Sequence, residues 1–365
     1  MRRARWLAEW RKAAGKPVLY HVISRVVDRR FVLGTEEKEK FRTLMRMQEN
    51  FTGCRILSYC LMDNHFHLLL EVSPMVESGL PDSELMKRLS AIYSEATVAE
   101  IAGELENARA AVYSSEGGMA EAITAIHQRF IYRMHDLGEF MKGLLQRFTQ
   151  WFNRVHSRSG TLWEDRFKSV IVEDGIAART MAAYIDLNPV RAGMVEDPAD
   201  HRWSSYGEAV GGGAKGNGKK AREGLVRAYF CDQGVGFEAG KWPEVSRLYR
   251  RLMGLALGKK PGCSESKGHS RTSTTTTKNT AEMLESKDNE TVLPDLGMAK
   301  MLRCRVRYFT DGAVIGSKEF VNEAFASARE RFGPKRKDGA RKLRGAGAAA
   351  ASVIWSLRDL RKQQV

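Results

Sequence analysis

Only two residues, Asp63 and Asn64, separate the apolar run CRILSYCLM (54–62) from the apolar run HFHLLLEV (65–72). So short a connection cannot carry the chain back across a sheet. The runs therefore form adjacent antiparallel strands joined by a tight turn, where Asp and Asn are common. Upstream, VLYHVISRVV (18–27) is rich in β-branched residues and reads as a further strand. Between it and the hairpin lies GTEEKEKFRTLMRMQENFTG, where Phe41, Leu44 and Met45 recur at helical spacing with Gln48 next in line. Thr35 is the expected N-cap of this helix, with Glu36 and Glu37 in its first turn.

Strand, helix and strand hairpin in this order are the first half of a ferredoxin-like, or RRM-like, sandwich with an antiparallel sheet. A second helix and a fourth strand are needed to complete it. Residues 74–155 are helical in pattern, broken at SSEGGMAE. Phe130, Met134, Leu137, Met141, Leu144, Leu145, Phe148 and Phe152 keep one apolar face, extended by Trp151. FKSVIVED then supplies the fourth strand, and a helix follows from about Ile176 to Leu187, ended by Pro189. The expected class is α+β, with a helical insertion at about 74–125 and a smaller basic C-terminal region.

Polar segments punctuate the remainder. GGGAKGNGKKA (211–221) reads as a flexible break and KGHSRTSTTTTKNTAEMLESKDNE (267–290) as disordered. Beyond them RCRVRYF reads as a strand, Ser317 caps a helix through Phe332, and PKRKDGARKLR leads into a final helix. The expected division is a folded domain over 1–210, a linker region over 211–290 and an accessory region over 291–365. That last region holds 16 Lys or Arg against 7 Asp or Glu, more than half of the net charge of +15.

A surplus of that size favours a polyanionic partner. Nucleic acid is preferred to a membrane surface, because no amphipathic lipid-anchor pattern accompanies the charge. No run of eighteen apolar residues exists, which excludes a helical membrane span. MRRARWLAEWRKAAGKP, at the N-terminus, lacks the apolar core of a secretion signal. Cys54, Cys60, Cys231, Cys263 and Cys304 form no CxxC pair and read as free thiols of a reducing cytoplasm.

Chemistry enters with two histidines in the third strand. His65 and His67 lie two apart, so they project from one face while Phe66, Leu68 and Leu70 pack on the other. Two imidazoles so placed can share a metal ion, although an isolated HxH more often marks two half-buried structural histidines. TMAAYIDLNPVRAG adds to the pattern, because Tyr184 and Asn188 are four apart on a helix and share a face. Two imidazoles and an amide oxygen could hold a divalent cation that polarises a phosphodiester. A phenol beside it could attack phosphorus and form a covalent phosphotyrosine.

YCLMDNHFHLLLEV, GTLWEDRFKSVIVED, YIDLNPVRAG and HRWSSYGEAV, in that order, resemble the REP-associated tyrosine transposases. These are single-tyrosine HUH endonucleases related to the small insertion-sequence transposases. The resemblance spans residues 18–73 and about 125–210, and extends less specifically to RVRYFTDGAVIGSKEFV. It implies a ferredoxin-like core, His65 and His67 as metal ligands, Tyr184 as nucleophile and Asn188 as third ligand. Some relatives have Gln at the position of Asn188. The implied cofactor is Mg²⁺, or Mn²⁺, although imidazole ligands by themselves favour softer ions. The implied partner is single-stranded DNA in hairpin or palindromic elements, with a homodimer as a possible assembly. Arg25, Arg30, Trp163, Arg166 and Lys168 supply the cations and the aromatic ring expected of a single-strand binder.

Two other readings compete with this one. A domesticated hairpin-binding protein could have lost catalysis, against which the intact His65, His67, Tyr184 and Asn188 speak. A non-haem iron oxygenase could combine two histidines with a carboxylate, and Asp63 stands two residues before His65.

Overall fold

The computed structural model describes residues 5–75, 79–110, 118–212, 216–233, 238–257, 302, 307–343 and 354–358. A short helix α1 (Glu9–Ala13) precedes β1 (Val18–Arg25), α2 (Thr35–Thr52), β2 (Arg55–Leu61) and β3 (His65–Val72). Helices α3 (Asp82–Leu89), α4 (Glu95–Ala110), α5 (Gly118–Ile131) and α6 (Leu137–Val155) lead to β4 (Lys168–Val172). Helices α7 (Ile176–Asp186), α8 (Asn188–Arg191), α9 (Ser205–Gly211), α10 (Gly216–Phe230) and α11 (Trp242–Ala256) follow. The last elements are α12 (Arg307–Asp311), β5 (Val314–Gly316), α13 (Lys318–Ser327), β6 (Arg341–Lys342) and β7 (Trp355–Leu357).

The strands form one sheet in the order β2-β3-β1-β4-β5-β7-β6. Its first four are the antiparallel β-α-β-β-α-β unit expected from the sequence, with β1 hydrogen-bonded to both β3 and β4. One face buries Tyr20, Val22, Phe66 and Leu68 under Phe41 and Met45 of α2 and Phe140, Leu144 and Phe148 of α6. At about 25 cal/mol per Å² of apolar area, the aromatic side chains dominate this layer. α3, α4 and α5 add a small core of their own, in which Leu85, Ile101 and Phe130 gather near Phe51.

The opposite face is covered as well. Leu19, Leu69, Val170 and Val172 pack beneath α7, α10 and α11, through Ala178, Ala182, Leu225 and Leu252 among others. The alanines of α7 let that helix lie close against the strands. Gly224 does the same for α10: a Cβ there would stand 2.5 Å from the Ile56 carbonyl oxygen, where β2 changes register between Ile56 and Ser58.

The block HRWSSYGEAV protects the outer edge of β2. The Leu61 N–H donates to the Trp203 carbonyl (2.9 Å), the Tyr59 N–H to Ser205 Oγ (2.8 Å), and His201 Nε2 bonds the Leu61 carbonyl (3.0 Å). An edge strand so covered has no free ladder to offer a second sheet. Glu208 then reaches round the edge, accepting from Arg42, Arg46 and the Tyr59 hydroxyl at 3.0, 3.1 and 2.8 Å.

Several local expectations need correction. Gly34, not Thr35, occupies the N-cap of α2. Residues 216–221 of the expected flexible break are helical, because Ala221 and its successors in α10 find an apolar bed on the sheet. Pro189 does not stop the helical path; it sits in the first turn of α8, where its missing N–H costs nothing. The expected strand at 303–309 is helical over 307–311, and the strand lies further on as β5. Ser317 does cap α13, accepting from the Phe320 N–H at 3.1 Å, but this helix ends at Ser327. The expected final helix includes 355–357, which form β7. The 267–290 segment lies outside the described residues.

β4 pairs in parallel with β5, so described parts of the 291–365 region extend the same sheet as the histidine-bearing strands. Among the described residues, no helix is long and apolar enough to cross a membrane. Cys54, Cys60 and Cys231 are buried free thiols.

Candidate active site

β3 places His65 and His67 on the sheet face that α7 covers, with ring centroids 5.1 Å apart. Register across the sheet sets Arg25 opposite His65, and Ile23 opposite both His67 and Lys168. Directly paired residues share a face, so Arg25 and Lys168 flank the histidines on their own side. Arg30 and Arg166 are exposed at the surface. Trp163 is elsewhere: its ring is buried against Phe41, Phe66 and Phe148 on the opposite face, and its Nε1 donates to Thr149 Oγ1 at 3.0 Å. Such packing accounts for this tryptophan without a base stacked on it.

Tyr184 ends α7 directly above the histidines. Its ring meets that of His67 edge-on at 5.7 Å and stacks on Phe309 at 5.0 Å, which leaves Tyr184 4 % exposed. Asp186 holds this end of α7 in place. Its buried carboxylate accepts from the Tyr206 N–H (2.9 Å) and the Tyr249 hydroxyl (2.7 Å), and burial pushes its pKa up to about 7. Asn188 follows one turn later. Its amide nitrogen donates to the Tyr184 and Ile185 carbonyls at 3.1 and 3.2 Å, which turns Oδ1 away from those acceptors. Among the described residues no hydrogen bond joins Asn188 to His65 or His67.

Two residues here escaped the sequence reading. Arg191, in the same YIDLNPVRAG block, lays its guanidinium 4.8 Å over the Tyr184 ring and donates to the Tyr184 and Leu302 carbonyls. Its spacing of seven from Tyr184, two helical turns, was the available signal. His21 of β1 is fully buried, with Nε2 3.0 Å from His67 Nδ1 and Nδ1 2.8 Å from the Phe309 carbonyl oxygen. In the sequence it looks like one polar residue in an apolar strand.

All three imidazoles are neutral at ordinary pH. Burial holds His21 and His65 down at about 4. His67 lies lower than usual chiefly by burial, with His21, His65 and Arg25 adding to the effect. Neutral imidazoles have lone pairs for a cation. Among the described residues, however, no group of three or more His, Cys, Asp or Glu is placed to hold a metal. Asp63 does not complete such a set, because it pairs with Lys38 at 2.6 Å. An ion here would rest on His65, His67 and neutral or phosphate oxygens, a donor set that suits a cation shared with a nucleic-acid substrate.

Comparison with known proteins bears on the histidine half of this arrangement. Residues 16–113 match the family Transposase IS200 like. This transposase-like segment runs from β1 through the His65–His67 pair and stops well before Tyr184. No curated protein matches the chain. One solved structure, titled "Structure of the REP associates tyrosine transposase bound to a REP hairpin", is similar over 60% of this chain and 88% of its own. That likeness has 15% sequence identity and a TM-score of 0.34.

Proposed function

We propose that the protein is a transposase that cuts and transfers single-stranded DNA at hairpin or palindromic elements. Tyr184 is its nucleophile, and Mg²⁺ or Mn²⁺ is held by His65 and His67, with the Asn188 oxygen as third protein ligand. The observation that carries the reading is the meeting of Tyr184 with His67, 117 residues apart in sequence, on one face of the transposase-like sheet.

In the reaction the Tyr184 hydroxyl attacks phosphorus and loses its proton. The bond from phosphorus to the 3′ oxygen breaks, and that oxygen departs with the electron pair and is protonated. A 5′-phosphotyrosine remains. One phosphodiester has been exchanged for another, so a new 3′ hydroxyl can reverse the step without a nucleotide cofactor. A bound divalent cation supplies polarisation of the phosphate and stabilisation of the leaving oxyanion. Arg191 fixes the end of α7 and keeps a positive charge beside the phenol, while Arg25 and Lys168 offer charges to the flanking phosphates. Phe309 covers the Tyr184 ring, so the substrate must displace part of that cover.

Charge elsewhere supports a nucleic-acid partner. A cavity of about 880 Å³ in the C-terminal region is lined by Lys335, Arg336, Arg341, Lys342 and Arg358, beside Tyr308. The test is cleavage of a hairpin-bearing single strand with and without Mn²⁺. His65→Ala and His67→Ala should lose metal-dependent cleavage while hairpin affinity stays within a few-fold, since the basic surface supplies most of the affinity. Wild-type cleavage by either variant overturns the metal assignment. Hairpin binding by a wild-type protein that never cleaves leaves the second reading, a lapsed DNA-binding protein.

A further inference from the structure

The hydrogen bonds behind the two histidines follow a single logic. A backbone carbonyl can only accept, so the 2.8 Å bond from His21 Nδ1 to the Phe309 carbonyl puts the His21 proton on Nδ1. A neutral His21 then has only a lone pair at Nε2, which must accept from His67 Nδ1–H at 3.0 Å. The two ring planes differ by 10°, an alignment suited to one in-plane bond. His67 is left with its lone pair on Nε2.

His65 is handled from the other side of the hairpin. The Asn64 amide nitrogen donates to the Arg29 carbonyl at 3.0 Å, which orients Asn64 Oδ1 as the acceptor for His65 Nδ1–H at 2.7 Å. Asp28 and Arg29 hold φ values of 56° and 54°, in the left-handed region, so the turn that presents this carbonyl is strained. His65 too keeps its lone pair on Nε2. Two unrelated acceptors, on different strands and loops, thus impose the same tautomer on both imidazoles.

We propose that His21 and Asn64 are positioning residues, each fixing one histidine as the Nδ1–H tautomer so that both present Nε2 to a single divalent cation. The inference rests on the metal reading of the preceding section. It goes further in assigning the second layer of the site, including a link from the Phe309 backbone in α12 to His67. Outer partners of this kind tune metal affinity by about tenfold to a hundredfold when removed.

Long-range ¹⁵N–¹H spectra of the metal-free wild-type protein read the tautomers directly. Nδ1–H forms of His65 and His67 support the proposal, and an Nε2–H form of either overturns its half. Mn²⁺ affinity, followed by the electron paramagnetic resonance of the free ion, gives the second readout. His21→Phe keeps the ring volume but ends the relay, and should weaken Mn²⁺ binding about tenfold to a hundredfold. His21→Gln can donate to Phe309 and accept from His67 at once, and should stay within about threefold of wild type. Asn64→Leu should weaken binding as His21→Phe does. Equal affinity in wild type and His21→Phe overturns the His21 assignment. Absence of Mn²⁺ binding by wild type overturns the metal reading, while the metal-free spectra still decide the relay.

Discussion

Replacing Glu208 with alanine tests why the HRWSSYGEAV block belongs to this fold. Glu208 is buried and accepts from Arg42, Arg46 and the Tyr59 hydroxyl across the edge of β2. Arg46 would keep Glu49, 2.8 Å away, but Tyr59 would lose the partner of a fully buried hydroxyl. An unsatisfied buried hydroxyl costs about 1–3 kcal/mol, and breaking a buried ion pair about 3–5 kcal/mol. These overlap, so the expected loss is about 3–5 kcal/mol, a large part of the roughly 5–15 kcal/mol that stabilises a typical domain. Urea unfolding should show a lower midpoint with an unchanged slope. In a double-mutant cycle with Tyr59→Phe the two losses should fall short of additivity, because both remove one bond. DNA cleavage per folded molecule should not change, since Tyr59 faces the side of the sheet away from His67. A loss below about 1 kcal/mol would refute the view of Glu208 as the clamp of this edge.

Two further outcomes follow from charge. His21 titrates at about 4 in the fold against an ordinary 6.5, so the unfolded chain takes up its proton first as pH falls. Its contribution is complete above pH 6.5 and lost on the way down to about 4, a loss of about 3 kcal/mol from this group. Unfolding free energies measured across that window should fall in wild type and fall less steeply in His21→Gln, where His65 and His67, also held low by burial, keep their own share of the slope. Reversing two exposed cations of the C-terminal cavity, Arg341→Glu with Lys342→Glu, should weaken hairpin binding and reduce the magnitude of its salt slope by about 1–2 units. Anisotropy titrations at several salt concentrations measure this, and an unchanged slope would show that the cavity does not meet phosphates.

The first four strands and their two helices were legible because hydrophobic periodicity and the two-residue hairpin each allow few alternatives. The second helical layer was not. α7 could be recognised as a helix, but nothing local says that its alanines lie on the sheet, or that α10 leans on a β2 register shift through Gly224. RCRVRYF misled for a similar reason: alternating residues suit a strand, whereas α12 is held by the packing of Phe309 on Tyr184. The His65–His67 pair stood out because two imidazoles in an apolar strand are conspicuous. His21 did not, since its role exists only through an antiparallel register that sets it diagonally from His67. Trp163 shows the converse, as an aromatic beside basic residues that proves to fill the core.

In the proposed reaction Tyr184 is the group that attacks DNA. Tyr184→Phe removes one oxygen from a ring packed against His67 and Phe309, and should leave fold and hairpin binding nearly unchanged. The decisive measurement is mass spectrometry of the adduct formed with a hairpin-bearing single strand and Mn²⁺. Wild type should give a denaturation-resistant complex with a 5′-phosphate on Tyr184, and Tyr184→Phe should give none. A nucleotide on any other tyrosine, or an adduct formed by the Phe variant, would contradict the account.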